Sequence, residues 1–580
     1  MGRGGIILDR ADPYHHSLVA ETASGAGVED PVSTSAPLAG LAPTGLLAGT
    51  ALLSGCGEGV QSTAAAIVAP KPGLTDSQAA RFLAQAAIGY TKADVAEVRL
   101  TGIDGWLNAQ FALPRPQKFW DFLIAGGFDA PANITSFNGF DPMMWSQLMS
   151  SNDLLRQRTG LALLNLWVVG IDGLTVSWRP FVMAAYLDAL WDNAFGNYRD
   201  IMEAVSTSVA MGNFLTFLGN VKANPSTGAI PDENYARELM QLFTIGLYEL
   251  NMDGTEVLSG GLPVATYSQA DVSQAARVWT GYGYANADNT SPARMRLPML
   301  VSPTTHEMGE SSLLNGAISI PAGIDGAAAR KILLDGLFNH KNTPPFVSKQ
   351  LIQRLVTSNP SPAYVNRVAS VFANNGAGVR GDMKAVLRAI LTDVDARDDA
   401  QVNSTSFGKL REPVLRLLQW ARAFSVTSPS KQWPFGNLSS SANRLGQSPG
   451  RAPSVFNWFR PGYTPPGTAI ANAGLVAPEF QIANEPSVIA YVNYMQTLIT
   501  SGAGDAKADY TPLTALAADS QKLLDELNLI LAANQISVAT LTQMKAALDT
   551  IGVTTTTGIN NRIYAAILFV MASPEFLIVR

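Results

Sequence analysis

Apolar positions recur along most of the chain at helical spacing. Ala79, Phe82, Leu83 and Ala86 share one face of a predicted helix over 76–87, with Thr75 placed to cap it and Gly89 to end it. Thr91-Lys92-Ala93-Asp94 opens a second helix that stops at Gly102, and a third carries Trp106, Leu107 and Phe111 as far as Pro114. Residues 143–178 read as helical and nearly apolar around the circumference (Leu154, Leu155, Leu161, Leu163, Leu164, Leu166, Trp167), which predicts a central element with Arg156 and Arg158 near its start. Further helices are predicted over 180–194, 198–210, 233–250, 271–280, 326–339, 344–358, 362–375, 381–394 and 411–426. In the tail they are predicted over 484–500, 512–533, 537–551 and 559–573. Residues 113–142 and 427–483 mix Pro, Gly, Asn and aromatic residues and predict long ordered connections, while 282–325 predict a small β excursion. The expected fold class is mainly α: one large multi-helix core with long Pro/Gly/aromatic loops and no internal repeat.

Composition narrows this picture. Of 580 residues, 47% are hydrophobic and 15% charged, with a formal net charge of −6. The apolar share excludes a disordered chain, and the absence of a basic excess argues against nucleic acid as a partner. No run of about twenty apolar residues is free of polar breaks, so a polytopic membrane protein is not expected. The single cysteine, Cys56, excludes an intramolecular disulfide and a cysteine-rich metal cluster. Only four histidines are present, so a histidine-based mechanism would draw on His306 or His340.

Residues 36–55 are uncharged and rich in Ala, Leu, Gly and Pro, and Leu53-Ser54-Gly55-Cys56 resembles the lipobox of bacterial lipoproteins. No Lys or Arg lies between Arg10 and Cys56, so the usual basic segment is missing or displaced. The expectation is an exported chain with 1–55 as leader, 56–73 as tether, and Cys56 as a lipidation site and the only route to a membrane. A main helical domain over 74–500 would then carry a C-terminal helical segment, 501–580, packed on it. The alternative is a flexible Gly/Ala/Pro segment of a soluble protein.

The stretch Pro231-Asp232-Glu233-Asn234-Tyr235-Ala236-Arg237-Glu238-Leu239-Met240-Gln241-Leu242-Phe243-Thr244-Ile245-Gly246-Leu247 has a sharp division of faces. At about 100° per residue, Glu233, Thr244, Arg237, Gln241, Asn234 and Glu238 occupy one arc. Leu242, Tyr235, Leu239, Phe243, Ala236 and Met240 occupy the other. Asp232 can cap the helix, and Glu233 with Arg237 is an (i, i+4) pair in the favourable orientation. The plain reading is the wetted face of an amphipathic helix. The functional reading makes Glu233 or Glu238 an acid/base and Arg237 and Asn234 positioning groups in a cleft. A two-carboxylate glycosidase needs its acids about 5–10 Å apart across one bond. Glu233 and Glu238 lie about 140° apart on the helix, so Asp253 or Asp271 would have to supply a partner.

Other candidate chemistry is more scattered. Thr305-His306-Glu307-Met308-Gly309-Glu310 offers one imidazole and two carboxylates, and a divalent metal could draw on them. No cofactor is otherwise predicted, and a loop histidine bonded to the backbone is the plainer account of His306. Asn251, Asp253 and Thr255 form part of a calcium-loop pattern without its later oxygens. His340, at a helix C-terminus, reads as structural. Trp433, Trp458, Phe459, Tyr463, Tyr282 and Tyr284 could stack on sugar rings or staple loops to helices. Trp458, Tyr463 and Arg460 are the substrate-binding candidates among the loop residues.

Several of these stretches together resemble a bacterial family known only as domain of unknown function 1800. The resemblance rests on the 231–247 stretch, Ala194-Phe195-Gly196-Asn197-Tyr198-Arg199-Asp200, Met211-Gly212 with Gly219-Asn220-Val221-Lys222, and Asn251-Met252-Asp253-Gly254-Thr255. It continues through Arg277-Val278-Trp279-Thr280-Gly281, His306, His340-Lys341-Asn342-Thr343, the 350–360 stretch from Gln350 to Pro360, the 455–463 stretch from Val455 to Tyr463, and Ser573-Pro574-Glu575-Phe576-Leu577. It covers about residues 75–580. It implies a secreted or envelope protein, often encoded beside an exported partner of a second uncharacterised family, and it supplies no established reaction. The chain departs from relatives at Thr207-Ser208-Val209 and Leu166-Trp167-Val168-Val169, where many of them carry histidine.

Two functions are expected on these grounds. One is an exported helical hydrolase or lyase acting on a polymer or polysaccharide through Glu233, Glu238, Arg237, Asn234, His306 and Asp271. The other is a non-catalytic envelope or surface assembly protein whose aromatic loops dock an exported partner. Periplasm, outer membrane, cell surface and medium are all compatible locations.

Overall fold

A computed structural model of the chain describes residues 73–580. The leader, Cys56 and all of the tether except Gly73 lie outside the described residues. Capping chemistry sets where many helices begin. Reciprocal capping boxes open Asp76–Ala86 (Thr75 with Gln78), Lys92–Ala112 (Thr91 with Asp94) and Glu485–Ser501 (Asn484 with Ser487). Gly102, at φ 73°, bends the second of these where the sequence predicts a break. The described residues hold 23 α-helices and eight short strands, the strands paired as four antiparallel ribbons. The fold is therefore mainly α. Two ribbons, Tyr282–Gly283 with Leu300–Val301 and Ser311–Leu313 with Ile318–Ile320, make up the predicted β excursion.

One hydrophobic cluster runs from Ala79 to Phe576 and includes Trp106, Trp145, Trp167, Trp191, Trp279 and Trp420. The described residues, 73–580, belong to one compact unit. The C-terminal helices share its core: Ser520–Ala532 packs on Asp76–Ala86 and on Pro413–Ala423, and the Tyr90 hydroxyl donates to the Leu529 carbonyl at 3.2 Å. No helix among the described residues is long and apolar enough to cross a membrane.

Two predicted helices are cut short by side chains that claim their carbonyls. The predicted 143–178 helix is instead Phe140–Ser150 and Leu154–Leu164, followed by irregular chain that is largely buried. The Asn165 carbonyl, which a continuing helix would pair with a later N–H, accepts from Arg354 Nη2 at 2.9 Å. The predicted 233–250 helix is an α-turn, Asn234–Glu238, followed by a π-helical segment, Leu239–Thr244. The Thr244 hydroxyl donates to the Leu239 carbonyl (2.6 Å), Tyr198 to the Phe243 carbonyl (2.7 Å), and Asn342 Nδ2 to the carbonyls of Ile245 (2.9 Å) and Tyr248 (2.7 Å). Gly246, at φ 72°, ends the segment against the Phe346 ring.

A charged node sits where these elements meet. Arg158 Nη2 (2.6 Å) and Lys409 Nζ (2.8 Å) both donate to the Arg354 carbonyl in the last turn of Thr343–Leu355, the negative end of that helix. Lys409 also pairs with Glu479 at 2.8 Å and lies 3.9 Å from Glu412. Glu412 in turn accepts from Gln447 Nε2 (2.7 Å) and Asn165 Nδ2 (3.2 Å). Arg158, Arg354, Lys409, Glu412 and Glu479 are each at most 9% exposed. Burial pushes the Glu479 carboxyl upward, and Lys409 opposes the shift. Removing one partner of such a buried pair costs about 3–5 kcal/mol, because the other is left uncompensated.

The long 427–483 loop lies over this node and is anchored by close backbone approach. The Ile171 N–H donates to the Gly450 carbonyl at 2.9 Å, and a side chain at Gly170 would run into the Ala452 carbonyl, which is backbone and cannot rotate away. Gly170→Ala is therefore expected to destabilise the protein by about 1–3 kcal/mol, read as a lower denaturation midpoint. A neutral result would show that this approach is not close in solution.

Candidate functional site

Glu233 marks the entry to the short helix Asn234–Glu238, which packs on the helix Gln269–Val278. Asp232 Oδ1 accepts from the Asn234 N–H (2.9 Å), so the start is held by an aspartate turn at the predicted capping residue. A closed polar ring joins the two helices. Arg237 Nη2 donates to Glu233 Oε2 (3.1 Å) and to Gln269 Oε1 (3.0 Å). Gln269 Nε2 donates to Glu233 Oε2 (2.7 Å), and the Ser273 hydroxyl donates to Glu233 Oε1 (2.6 Å). Both Glu233 oxygens are thus engaged, although the pair is open to solvent on one side, with side-chain exposures of 26% for Glu233 and 37% for Arg237. Asn234 is half-buried and reaches the Thr216 hydroxyl through a long 3.5 Å contact.

Glu238 differs in kind. It is 7% exposed, its Oε2 has no hydrogen-bond partner, and burial pushes its carboxyl up to about 7, with Arg237 opposing the shift. The helical wheel places it on the polar arc; the structure turns it inward at the point where α geometry gives way to the π segment. Such segments frequently mark functional positions. A buried carboxyl that exchanges its proton near neutrality has the property a general acid or base requires.

The remaining predicted catalytic residues surround the same helix, Gln269–Val278, without converging. Asp271 is turned back to the helix start, where its Oδ2 accepts from the Ser268 N–H and hydroxyl (2.7 Å each). Its Oδ1 accepts from the Leu314 N–H (2.6 Å). Partial burial acts to raise its carboxyl, yet these hydrogen bonds hold it below the ordinary range. His306 lies beyond the other end of the helix, 1% exposed, with Nδ1–H donating to the Thr280 carbonyl at 2.9 Å and Nε2 buried without a partner. Glu307 accepts from Gly309 N–H (3.0 Å) and faces Arg277 at 3.5 Å. No group of three or more His, Cys, Asp or Glu side chains among the described residues is placed to hold a metal ion. In the 251–255 turn, Asp253 Oδ1 accepts from the Thr255 N–H and hydroxyl, and Lys349 Nζ stands 3.5 Å from the Gly254 carbonyl.

The aromatic loop residues divide. Trp433, Phe459 and Tyr282 are buried and staple their loops to the core. Trp458 is half-buried on a cavity it shares with Asn165, Glu412, Gln447 and Asn457, beside the charged node. That cavity is about 20 Å³, enough for one water and far below a sugar ring. Arg460 lies 5.0 Å from the Phe456 ring, and its N–H donates to Gln481 Oε1 (2.8 Å). Tyr463 is half-buried and joined to Arg460 and Ala477 through its backbone. Sequence reasoning missed Glu412, Glu479 and Lys409. The available signal was the charged run Lys409-Leu410-Arg411-Glu412 immediately before the apolar helix Pro413–Ala423.

The raised Glu238 carboxyl has a consequence for stability. Between its ordinary value near 4.5 and about 7, the folded chain holds a proton that the unfolded chain has released. Stability from this group is complete below pH 4.5 and is lost as pH rises to 7, by about 3 kcal/mol for a shift of this size. Glu238→Gln is expected to match the wild type at pH 4.5 and to exceed it by up to about 3 kcal/mol at pH 8, as read from denaturation midpoints. An equal difference at both pH values would contradict the assignment.

Among curated proteins and among solved structures, none matches this chain. A family model does match, over residues 81–578, and that span contains the Glu233 ring, Glu238 and the charged node. The chain belongs to the family described as Protein of unknown function (DUF1800).

Proposed function

We propose that this protein is an exported acid–base enzyme acting on a polysaccharide, with Glu238 as the group that moves the proton. The observation that carries this reading is the combination at Glu238 of burial, an unpartnered oxygen and a carboxyl pushed up to about 7. The Glu233–Arg237–Gln269–Ser273 ring fixes the helix that bears it, and Arg237 uses only Nη2 in that ring. A two-carboxylate hydrolysis needs a second acid across the bond, and Asp271, the nearest predicted partner in sequence pattern, is held by its cap. In a lyase step a base takes the proton α to a carboxylate, and the freed electron pair forms a C=C bond as the β carbon–oxygen glycosidic bond breaks. The departing oxygen receives a proton from the protonated base or from water, and a cation offsets the charge that develops. Glu238 and Arg237 supply that base and that cation, which favours an acidic polysaccharide as substrate. Export through residues 1–55 and anchoring at Cys56 belong to the same proposal and rest on the lipobox-like sequence.

A second reading, an assembly protein that docks an exported partner, is favoured by the ribbon Leu258–Ser259 with Leu262–Pro263. It presents Leu258 and Leu262 at 59% and 58% exposure.

Incubation of the full chain with a panel of acidic polysaccharides separates the two. The enzyme reading expects new unsaturated chain ends, a rate that climbs through an inflection about pH 7, and a loss of about 10²–10⁴-fold in Glu238→Gln. Equal turnover by both proteins would remove Glu238 from the chemistry. No turnover on any member of the panel would leave the docking reading in front.

A further inference from the structure

Of the ion pairs among the described residues, Lys409 with Glu479 is the most enclosed, with side-chain exposures of 1% and 2%. Lys409 Nζ lies 2.8 Å from Glu479 Oε1, so the carboxyl carbon is one bond beyond its contact. The pairing is incomplete. Glu479 Oε2 is buried with no hydrogen-bond partner, which a purely structural ion pair leaves unexplained. A second carboxylate stands at the same amine: Glu412 Oε1 is 3.9 Å from Nζ, and its Oε2 is fixed by Gln447 and Asn165. The amine's remaining contact is the Arg354 carbonyl, which it shares with Arg158 Nη2, so a guanidinium sits beside it. A lysine becomes a nucleophile when it is taken out of water and set beside another cation. A carboxyl becomes an electrophile when it carries its proton, and burial pushes Glu479 toward that form.

We propose that Lys409 and Glu479 condense to an amide, a covalent cross-link that the folded chain forms by itself with Glu412 as proton carrier. Within the pair, the ammonium proton passes to the Glu479 carboxylate, which replaces two buried charges by a neutral amine and a neutral acid. The Nζ lone pair attacks the carboxyl carbon, and Glu412 accepts a proton from the nitrogen. As the bond from that carbon to the hydroxyl oxygen breaks, Glu412 returns the proton to the departing oxygen. One Nζ–Cδ amide and one water result, with no oxidant or further reactant. Arg158, Arg354 and Arg416 lie close enough to Glu479 to act on its charge, and they offset the oxyanion of the tetrahedral intermediate. The cavity that Glu412 lines is about 20 Å³, room for the water that leaves. One cation and one anion disappear together, so the net charge of the node is unchanged. The link staples the end of the 427–483 loop to the strand Lys409–Leu410, in a chain whose single cysteine excludes an intramolecular disulfide. It is independent of any chemistry at Glu238.

The test is mass spectrometry of the full chain, purified folded, then denatured and digested. The expected result is a branched peptide joining the segments that hold Lys409 and Glu479, one water lighter than their sum, with trypsin failing to cut after Lys409. Recovery of the two segments only as free peptides from the wild type overturns the proposal, whatever any variant does. Glu412→Gln keeps both linking residues and should lose the branched peptide while its circular dichroism stays that of the folded wild type. Equal yields of branched peptide from Glu412→Gln and wild type would overturn the role of Glu412.

Discussion

The carbonyl of Arg354 is the point from which the architecture can be understood. It closes the helix Thr343–Leu355 and takes hydrogen bonds from two buried cations, Arg158 and Lys409, that come from distant parts of the chain. Through Lys409 it connects to Glu479, through Glu412 to Gln447 and Asn165, and through the Arg354 side chain back to Asn165. Apolar burial alone would tolerate several relative arrangements of these helices, because it is not directional. Charged donors with fixed acceptors tolerate few. The node thus selects one registry of the helices Leu154–Leu164, Thr343–Leu355 and Pro413–Ala423 and of the long loop over them.

The contrast between Glu233 and Glu238 shows how environment, more than residue type, sets chemical character. Five positions apart, one carboxylate is held by three hydrogen-bond donors at a half-open surface, and the other is enclosed with little to offset its charge. The first is an anchor, because both of its oxygens are occupied by donors that tie the two helices together. The second exchanges its proton near neutrality because solvent is largely excluded from the charged form. Asp271 and His306 resemble Glu233 in this respect. Each is committed to backbone groups, by caps or by a carbonyl, and each holds the frame around the helix Gln269–Val278.

Much of the fold was legible in the sequence because helix ends are written locally. Thr75 with Gln78, Thr91 with Asp94 and the break at Gly102 need no tertiary information. The failures occurred where a distant side chain captured a carbonyl: Arg354 at Asn165, Asn342 at Ile245, Tyr198 at Phe243. Nothing in the local pattern announces those events. The same limit explains the site. The wheel grouped Glu238 with Glu233 and Arg237, because a wheel assumes one cylinder, whereas the inward turn of Glu238 depends on how the segment sits against its neighbours. The buried charges at Lys409, Glu412 and Glu479 were unreadable for a related reason, since a charged residue beside an apolar helix is far more often wetted than enclosed.

The π segment at Leu239–Thr244 has one more consequence. Its wider turn shifts the angular phase between the chain upstream and the chain downstream, so Glu238 and Phe243 belong to two different helical frames. Removal of one residue there would restore an ordinary winding and leave the chain on either side facing as it does now, because the wider turn is how the extra residue is absorbed.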